Sequence, residues 1–307
     1  MKNTTAIVIL NYKNYQDTIN CIKSILDSNS RDYFIIVVDN ASNNGSLGEI
    51  EKQLAPVTQV RHWAGQTDFS QGVLLVDNKN NSGYAAGNNV GLRIGYQLGA
   101  THLMVLNNDT LFTDDALDKL KAVVTGADDI ICTGPLLLKG DGGIDYNCAK
   151  RRPRPLDFFR FSYFGKWLKT EEWRKEYYYM IKYPTLNQVT DVDIISGSCM
   201  LFDAQKFAEI GFFDEHTFLY YEEAIIHEKA RKKGWKMVLV PQAKVVHLGA
   251  QSTTGHSTSL FMLNCEYNSL KYYLKSHRGF SNVMVGLLSS GSWWFINMYT
   301  AKRKLKF

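Results

Sequence analysis

The sequence predicts an α/β fold in which a mostly parallel sheet carries helices on both faces. Near-continuous apolar runs, such as TAIVILNY and YFIIVVDNAS, alternate with segments whose apolar residues repeat at helical spacing. Strands that are apolar throughout are typical of a parallel sheet buried on both faces. With 307 residues, of which 45% are hydrophobic, the chain has room for one large α/β domain or two smaller ones.

The predicted elements follow one another along the chain. In the first half, the strands TAIVILNY, YFIIVVDNAS, GVLLVDN and HLMVLNND are separated or followed by the helices NYQDTINCIKSILDS, YAAGNNVGLRIGYQLG and TDDALDKLKAVV. In the second half, we predict the interrupted strand DVDIISGSCMLFD, the helices AQKFAEIGFFDE, LYYEEAIIHEKARKKGW and SLFMLNCEYNSLKYYLKSH, and two short strands, KMVLVP and KVVHLG. Between them, the basic, aromatic stretch 151–187 is either a flexible excursion over the site or the edge of a packed subdomain.

Composition and motifs argue against several classes of protein. A net charge of +5 without a concentrated basic face does not indicate nucleic-acid binding. Five cysteines without a CxxC spacing suggest neither a disulfide framework nor a zinc site, so we expect a reduced, cytosolic compartment. The N-terminal MKNTTAIVILNY is predicted to be a first strand rather than a signal peptide. The dinucleotide fingerprint, the P-loop and the GxSxG elbow are all missing.

Polar residues follow four successive predicted strands. In open α/β sheets, ligands bind beyond the carboxyl ends of the strands. The alternative is that Asn and Asp favour turns and helix N-caps at any strand end. Four such ends in one chain favour a ligand site, formed by Asn11, Asp39, Asp77 with Asn78, and Asn107 to Asp109.

A divalent metal is the remaining means for such a sheet to hold a nucleotide. Mg²⁺ and Mn²⁺ prefer oxygen ligands, and a nucleotide site supplies one or two carboxylates while phosphates and water supply the rest. Asp109, at the end of LNND, suits that task, and His247 at the end of KVVH is a second candidate ligand. The alternative for His247 is an ordinary hydrogen-bonding role.

Two further patterns have both a functional and a structural interpretation. Gly83 and Gly87 open a helix and allow close backbone approach, as in a phosphate cradle, but they also suit tight helix-to-sheet packing. Glu222 and Glu223 are candidates for acid–base catalysis, because a carboxyl near aromatic rings and beside a like charge has a raised pKa. The alternative is an acidic first helical turn.

Seven stretches, in order along residues 4 to 256, resemble the inverting family 2 glycosyltransferases, and most of all their bacterial rhamnosyltransferase-like branch. They are IVILNYKN, VVDNASNNGS, NSGYAAGNNVGL, LNNDT, SGSCMLF, GFFDEHTFLYYEE and GWKMVLVPQAKVVHLGAQS. The resemblance implies a GT-A type nucleotide-diphospho-sugar transferase fold and a nucleoside-diphosphate sugar donor.

The resemblance also implies site residues. Asp109 matches the metal-binding DxD-type position, and His247 matches a later His that contacts the metal or the diphosphate. Gly197 and Ser198 would lie near the transferred sugar and the acceptor. The donor nucleotide and its sugar would be bound by Asn11, Tyr12, Asp39, Asn81, Gly83, Gly87, Asn88, Asn89 and Asn108.

The chain departs from the family pattern at the catalytic base. Glu222-Glu223 stands where the family reads Glu-Asp, so Glu223 takes the base position with a reach one methylene longer. The next acidic position of the pattern is Ile225. The resemblance implies a single displacement in which Glu223 deprotonates the acceptor and a metal at Asp109 stabilises the leaving diphosphate.

We predict a GT-A domain at 1–256, with a donor-binding half at about 1–112 and an acceptor half at about 113–256, and a helical C-terminal segment at 257–307. That segment has no charge between Arg278 and Lys302 and ends in AKRKLKF. It is expected to lie at the interface of an anionic membrane on its cytoplasmic face. The alternatives are a membrane span and packing on the domain or on a second subunit of a homo-oligomer.

Two rival functions remain open at this stage. A nucleotidyltransferase would carry a Gly- and Arg/Lys-rich loop after the first strand, where this chain has NYKNYQD. A degenerate glycosyltransferase domain acting as a scaffold or partner subunit is the other rival. The donor is expected to be dTDP-rhamnose or a UDP-hexose, and the acceptor a saccharide or a lipid-linked saccharide of surface polysaccharide synthesis.

Overall fold

The computed structural model describes residues 4–161, 165, 168–178, 188–249 and 260–304. The strands are β1 Thr5–Asn11, β2 Tyr33–Asn40, β3 Val60–His62, β4 Val73–Asn78, β5 His102–Asn107, β6 Thr110–Phe112, β7 Ile130–Lys139, β8 Ala149–Lys150, β9 Thr190–Val192, β10 Ile194–Ile195, β11 Cys199–Asp203 and β12 Lys236–His247. The helices are α1 Tyr15–Leu26, α2 Ser46–Leu54, α3 Gly83–Gln97, α4 Ala116–Thr125, α5 Pro155–Phe161, α6 Glu171–Tyr177, α7 Ala204–Glu209, α8 Glu222–Lys232, α9 Leu260–Tyr272 and α10 Asn282–Lys304.

One large mixed sheet forms the centre of the molecule. Its strand order is β3-β4-β2-β1-β5-β11-β7-β12-β6, and β9 also pairs with β12. The first five strands in this order, β3, β4, β2, β1 and β5, are parallel to one another, and β12 is parallel to β7. The interposed β11 runs antiparallel to both β5 and β7. The predicted, mostly parallel sheet is therefore confirmed, with β11 reversing direction at its centre.

The strand register brings the predicted polar strand ends to one edge of the sheet. Asn11 is paired with Asp39, and Asp39 is paired in turn with Asp77. On the other side of β1, Leu10 is paired with Asn107. Most of the apolar residues that precede these ends are buried in the main core, and the half-buried Leu10 packs against it. The sheet thus presents a row of polar side chains at the carboxyl ends of four adjacent strands.

Helix α3 packs onto the sheet through glycines at every fourth position. A Cβ atom on Gly91 would lie 2.6 Å from Val8 Cγ1 and 2.9 Å from Val38 Cγ2. On Gly95 it would lie 2.6 Å from Ala6 Cβ. Contacts this short are not tolerated by real side chains, so the helix approaches β1 more closely than any other residue would permit.

The predicted elements differ from the structure at one strand, and several elements were not predicted. KMVLVP and KVVHLG belong to one strand, β12, in which the register moves from Val240 opposite Pro135 to Lys244 opposite Leu136. The intervening residues form an irregularity that resembles a strand end in the sequence, because it contains a proline. Helix α2 and the short edge strand β3 were not predicted, since each has few buried apolar residues. The long, largely buried strand β7 was also not predicted, and its apolar run is interrupted by the sequence TGP.

The described part of the basic, aromatic stretch 151–187 is packed. Trp173 stacks on Tyr177 with ring centroids 4.9 Å apart, and its indole N–H donates to the fully buried Asp157. Arg151 forms an ion pair with the same carboxylate at 2.7 Å. These contacts favour the packed-subdomain interpretation for α5 and α6. Residues 162–164, 166–167 and 179–187 of this stretch lie outside the described residues.

The C-terminal segment contains α9, a short π-helical turn at Tyr273–His277, and α10. Helix α10 covers most of the uncharged run as a single helix and contacts both α9 and α5. Among the helices that the structure describes, none combines the length and the hydropathy needed to cross a bilayer. Residues 305–307 of the predicted basic tail lie outside the described residues.

The close approach of α3 to the sheet predicts a large effect of one substitution. Gly91→Val should lower the free energy of unfolding by about 1–3 kcal/mol, because the added atoms overlap Val8 and Val38. Gly48→Ala is the matched control, since Gly48 lies in α2 with nothing within 4 Å of the added carbon. Urea denaturation should show the control unchanged or slightly stabilised. Equal stability of the two variants would contradict the close packing.

Candidate active site

Asn11 and Asp39 form a buried hydrogen-bonded pair at the ends of β1 and β2. Asn11 donates from Nδ2 to Asp39 Oδ1 at 2.6 Å, and Thr18 Oγ1 donates to Asn11 Oδ1 at 2.8 Å. The backbone N–H of Ser42 donates to Asp39 Oδ2 at 3.1 Å. Both the nitrogen and the oxygen of the Asn11 side-chain amide are thus hydrogen-bonded within the protein. In this geometry Asn11 holds the Asp39 carboxylate in place, and the adjacent Tyr12 lies exposed on the rim.

A row of amides continues along the same edge. Asn78 donates to Asn40 Oδ1 at 2.8 Å, and Asn40 donates to Asn81 Oδ1 at 2.9 Å. Asn81 also accepts from the Gly83 N–H at 3.1 Å. Asn40 was missed by sequence reasoning, although it directly follows Asp39 at a strand end. It connects the end of β2 to the start of α3.

The two glycines at the start of α3 have packing roles. Gly83 has a φ of +88°, and a Cβ atom on it would lie 2.3 Å from the carbonyl oxygen of Phe218. A Cβ atom on Gly87 would lie 2.8 Å from Leu10 Cδ1. Tight packing therefore accounts for a glycine at both positions, and a phosphate contact by their backbone stays a prediction.

Two asparagines of α3 are fully buried and differ in their contacts. Asn89 exchanges hydrogen bonds with the backbone of Phe213 and donates to Glu215 Oε1 at 2.8 Å. Its amide is hydrogen-bonded to the 213–215 loop, and a donor contact by Asn89 stays a prediction. Asn88 donates to the Tyr84 carbonyl at 2.9 Å, and its Oδ1 accepts no hydrogen bond from the described residues.

Asp109 and His247 meet where β6 pairs with β12. The antiparallel register sets His247 opposite Thr110, and the Leu248 N–H donates to the Asp109 carbonyl at 3.0 Å. The two side chains approach each other with His247 Nε2 3.6 Å from Asp109 Oδ1. Nearby, Asn108 donates to Thr18 Oγ1 and to the Asn14 carbonyl, both at 3.2 Å.

These two residues fit a divalent cation. Asp109 Oδ1 is buried and accepts no hydrogen bond from the described residues, which is costly unless another group satisfies it. An oxygen and an imidazole nitrogen are suitable ligands for Mn²⁺. The described residues contain no cluster of three or more His, Cys, Asp or Glu placed to hold a metal. A cation here would take its remaining ligands from a bound diphosphate and water.

A second carboxylate, Asp145, lies behind His247. Its Oδ2 is 3.3 Å from His247 Nδ1. Without a bound cation, the carboxylates of Asp109 and Asp145 raise the pKa of His247 to about 9, and the imidazole lowers the pKa of Asp145 to about 2. Sequence reasoning missed Asp145, because it lies in the turn-rich stretch GDGGIDYN and follows no predicted strand.

The turn at residues 196–198 connects the candidate metal ligand His247 to Glu223, the candidate base. The Gly197 N–H donates to Glu223 Oε1 at 3.1 Å, while Ser198 Oγ lies 3.4 Å from His247 Nε2. Tyr84 donates from its hydroxyl to the Gly197 carbonyl at 2.7 Å. A Cβ atom on Gly197 would lie 3.2 Å from that hydroxyl and 3.3 Å from Glu223 Oε1. Consecutive residues of one turn therefore contact the predicted base and the predicted metal ligand.

Helix α8 begins with Glu222 and Glu223 after a strained backbone. Tyr220 and Tyr221 have φ values of +71° and +69°, in the left-handed region that non-glycine residues rarely adopt. Such strain costs about 1–3 kcal/mol per residue and persists only where surrounding contacts impose it. Here Tyr221 stacks on Tyr273 with centroids 5.4 Å apart. The strained turn aims the first residues of α8 toward the 196–198 turn.

Glu222 carries the raised pKa that the sequence predicts for one member of the pair. Burial, followed by repulsion from Glu223, raises the pKa of Glu222 to about 8. Its Oε2 is buried without a hydrogen-bond partner among the described residues. Glu222 is therefore neutral at pH 7, which leaves Glu223 as the partner that can act as a base.

Both carboxyl groups border a cavity of about 210 Å³. Four of its eleven lining residues are aromatic, and the C-terminal segment contributes Glu266 from α9. Its other lining residues are Lys150, Pro153, Phe161, Tyr177, Ile194, Tyr220, Tyr221, Glu222, Glu223 and Ala224. A pocket with aromatic faces and several carboxyl groups suits a ring that carries hydroxyls.

The raised pKa of Glu222 predicts a pH-dependent stability. The folded chain holds this proton more tightly than the unfolded chain, so the free energy of unfolding falls as pH rises from about 4.5 to about 8. Glu222→Gln should remove that part of the fall. Urea denaturation should show that, between pH 5 and pH 8, the free energy of unfolding falls by about 1–3 kcal/mol less in the variant than in the wild type. The exposed Asp68→Asn is the control, and identical slopes for all three proteins would contradict the burial of a neutral Glu222.

The sequence and the fold match known proteins. The family model "Glycosyl transferase family 2" matches residues 6–211. N-acetylglucosaminyl-diphospho-decaprenol L-rhamnosyltransferase of Mycobacterium tuberculosis is 28% identical over 151 residues, which are 49% of this chain and 48% of that protein. The low-salt glycan biosynthesis hexosyltransferase of Haloferax volcanii is 26% identical over 248 residues, which are 80% of this chain and 66% of that protein. The chain thus spans about half and about two thirds of the lengths of these relatives.

Two solved structures share the fold. GalNAc-T7 with UDP, GalNAc and Mn²⁺ has a TM-score of 0.57 and 18% identity, covering 88% of this chain and 47% of that one. The mannosyltransferase of Pyrobaculum calidifontis with GDP-Man and Mn²⁺ has a TM-score of 0.57 and 14% identity, and the match covers 94% of this chain and 68% of that one. These likenesses confirm the predicted GT-A type fold. The rhamnosyltransferase among the relatives agrees with the predicted branch. The family model matches well over half of the sequence, and the chain therefore belongs to glycosyl transferase family 2.

Proposed function

We propose that this chain is an inverting, metal-dependent glycosyltransferase. It moves a sugar from a nucleoside-diphosphate donor, dTDP-rhamnose or a UDP-hexose, to a saccharide or lipid-linked saccharide in surface polysaccharide synthesis. The observation that carries the proposal is the 196–198 turn, whose adjacent residues contact Glu223 and His247. A relative named for a lipid-diphosphate-linked acceptor and fold neighbours that hold Mn²⁺ with a nucleotide support the same assignment.

Asp109 and His247 would hold the cation, Mg²⁺ or Mn²⁺, which when bound neutralises charge on the leaving diphosphate. Asp39 and the amide row of Asn40, Asn78 and Asn81 line the edge where the nucleoside would bind. Asn11 orients Asp39 and does not need to touch the donor, because its own amide is already hydrogen-bonded.

Glu223 takes the proton of the attacking acceptor hydroxyl. The N–H of Gly197 fixes Oε1 and so orients the carboxylate, which compensates for the extra methylene relative to aspartate. Glu222, held neutral by burial, avoids placing a second charge beside the base. Attack on the anomeric carbon in a single displacement inverts its configuration, with an oxocarbenium-like transition state.

The departure at Ile225 has a structural reason that leaves the base intact. Ile225 is fully buried in a cluster with Tyr273 and Leu274 of the C-terminal segment. An acidic residue there would be desolvated against that segment. An apolar residue at position 225 therefore suits the packing of α8 against the C-terminal segment. This packing reason weakens the scaffold alternative, which the departure from the family pattern had kept open.

The base assignment predicts that a substitution of Glu223 lowers sugar transfer without weakening donor binding. Glu223→Gln should lower transfer about 10²-fold or more, because the amide cannot accept the hydroxyl proton. It should keep the rise in melting temperature that the correct nucleotide gives with Mn²⁺. Asp109→Asn should lose that rise. The assay is a thermal-shift panel of UDP, dTDP and GDP with and without Mn²⁺, followed by sugar-transfer measurements with the donor it identifies.

The control for both variants is Asp68→Asn, an exposed carboxylate outside the site. Full transfer activity in Glu223→Gln would overturn the base assignment. No thermal shift of the wild type with any nucleotide would favour the scaffold alternative.

We also propose that the chain works on the cytoplasmic face of a membrane, with α10 lying in the interface. The side chains of Val283, Leu287 and Trp294 share the outward face of α10 and are 74%, 64% and 56% exposed. The basic residues that end the sequence would meet anionic head groups. This placement suits a lipid-linked acceptor.

Flotation with vesicles of phosphatidylcholine, with and without phosphatidylglycerol, tests the placement. The wild type should float with the anionic vesicles, and less so at high salt. Leu287→Glu with Trp294→Glu should remain in the soluble fraction, while Val57→Glu, at an exposed apolar position elsewhere, should float like the wild type. A stable dimer that these α10 substitutions dissociate, without vesicle binding by the wild type, would assign the face to a second subunit instead.

A further inference from the structure

His247 lies between two carboxylates that face its two ring nitrogens. Nε2 points toward Asp109 Oδ1 at 3.6 Å, and Nδ1 points toward Asp145 Oδ2 at 3.3 Å. A neutral imidazole carries one proton, so a ring that ligates a cation through Nε2 must keep its hydrogen on Nδ1. The group that accepts from Nδ1 decides which tautomer is present.

Asp145 is held rigidly in the position to accept that hydrogen. Its backbone N–H donates to the Leu137 carbonyl at 2.9 Å, which ties the loop back onto β7. Its Oδ1 accepts from the backbone and the side-chain amide of Asn147, at 3.0 and 2.9 Å. These contacts leave Oδ2 directed at the imidazole.

The strands beneath the two residues are directly paired. β7 and β12 run parallel, and His247 is opposite Lys139 at the end of β7. The chain leaves β7, turns, and returns through a bridge between Leu138 and Ile144, which places Asp145 next. Three elements, β6, β7 with its return, and β12, therefore fix the line of Asp109, His247 and Asp145.

We propose that Asp145 is a positioning residue for the metal site: it accepts the Nδ1–H of His247 and so presents the Nε2 lone pair to a divalent cation shared with Asp109. This inference rests on the metal-dependent function proposed above. A carboxylate behind a ligating imidazole fixes the ring orientation and strengthens the ligand. Asp145 itself does not touch the cation or the substrate.

A purely structural ion pair would have a different consequence. If Asp145 only stabilised the loop, its loss would lower the free energy of unfolding and leave the cation affinity of the folded chain unchanged. Asp145→Asn separates the two roles. Its remaining oxygen can still accept from Asn147, while its NH₂ group faces Nδ1 and favours the tautomer with the hydrogen on Nε2. That tautomer cannot ligate.

The test is the affinity of the full chain for Mn²⁺, measured by electron paramagnetic resonance of the free ion in the presence of UDP or dTDP. We expect Asp145→Asn to weaken Mn²⁺ binding about 10- to 100-fold. Asp141→Asn is the matched control, because Asp141 is an exposed carboxylate in the same loop that accepts only from the Gly143 N–H among the described residues. It should bind Mn²⁺ like the wild type. Urea denaturation of each variant verifies that the comparison is made on folded protein.

The outcomes separate this inference from the function on which it rests. Wild-type affinity in Asp145→Asn, with binding lost in Asp109→Asn, would overturn the role of Asp145 and leave the metal site standing. Absence of Mn²⁺ binding by the wild type with either nucleotide would overturn the metal-dependent function, and the role of Asp145 with it.

Discussion

The contacts of the 196–198 turn are the constraint on which the candidate site depends. The turn separates β10 from β11, and its backbone hydrogen-bonds to Glu223 while its next side chain reaches His247. Since adjacent Cα atoms are about 3.8 Å apart, the two chemical functions are held at a short, fixed separation. A side chain at position 197 would press on both Tyr84 and Glu223, and each would have to shift slightly to make room. Precise placement of this kind is what catalysis by proximity needs.

The C-terminal segment stabilises the same arrangement from behind. The fully buried Glu228, in the middle of α8, accepts a bidentate pair of hydrogen bonds from Arg152 at 2.6 and 2.9 Å and another from the Tyr273 hydroxyl at 3.1 Å. Arg278 lies 3.5 Å from the same carboxylate. Removing one partner from such a network leaves a buried charge uncompensated, which costs several kcal/mol. The segment thus covers α8, which carries the candidate base, and it also adds Glu266 to the cavity wall.

Much of the fold and part of the site could be predicted from the sequence. Continuous apolar strands and polar strand ends identified the sheet edge where Asp39 and Asp109 lie, because both signals are local. Asp145 carried no local signal, since its role depends on a chain reversal that returns it to β7. The contacts of Asn89 were equally hidden, because its partners in the 213–215 loop are more than a hundred residues away. Tight packing of Gly83 and Gly87, by contrast, was one of the two interpretations that the sequence left open. The single strand β12 was divided in the prediction because pairing across an irregularity cannot be read from one strand alone.

The most direct measurement is the position of the cation. Crystals of the full chain grown with Mn²⁺ and the nucleotide that stabilises it would give an anomalous scattering peak. The account predicts a peak within bonding distance of Asp109 Oδ1 and His247 Nε2, with the diphosphate completing its coordination. A nucleotide bound at the sheet edge with the peak elsewhere, or with no peak, would contradict the assignment of these residues to the metal.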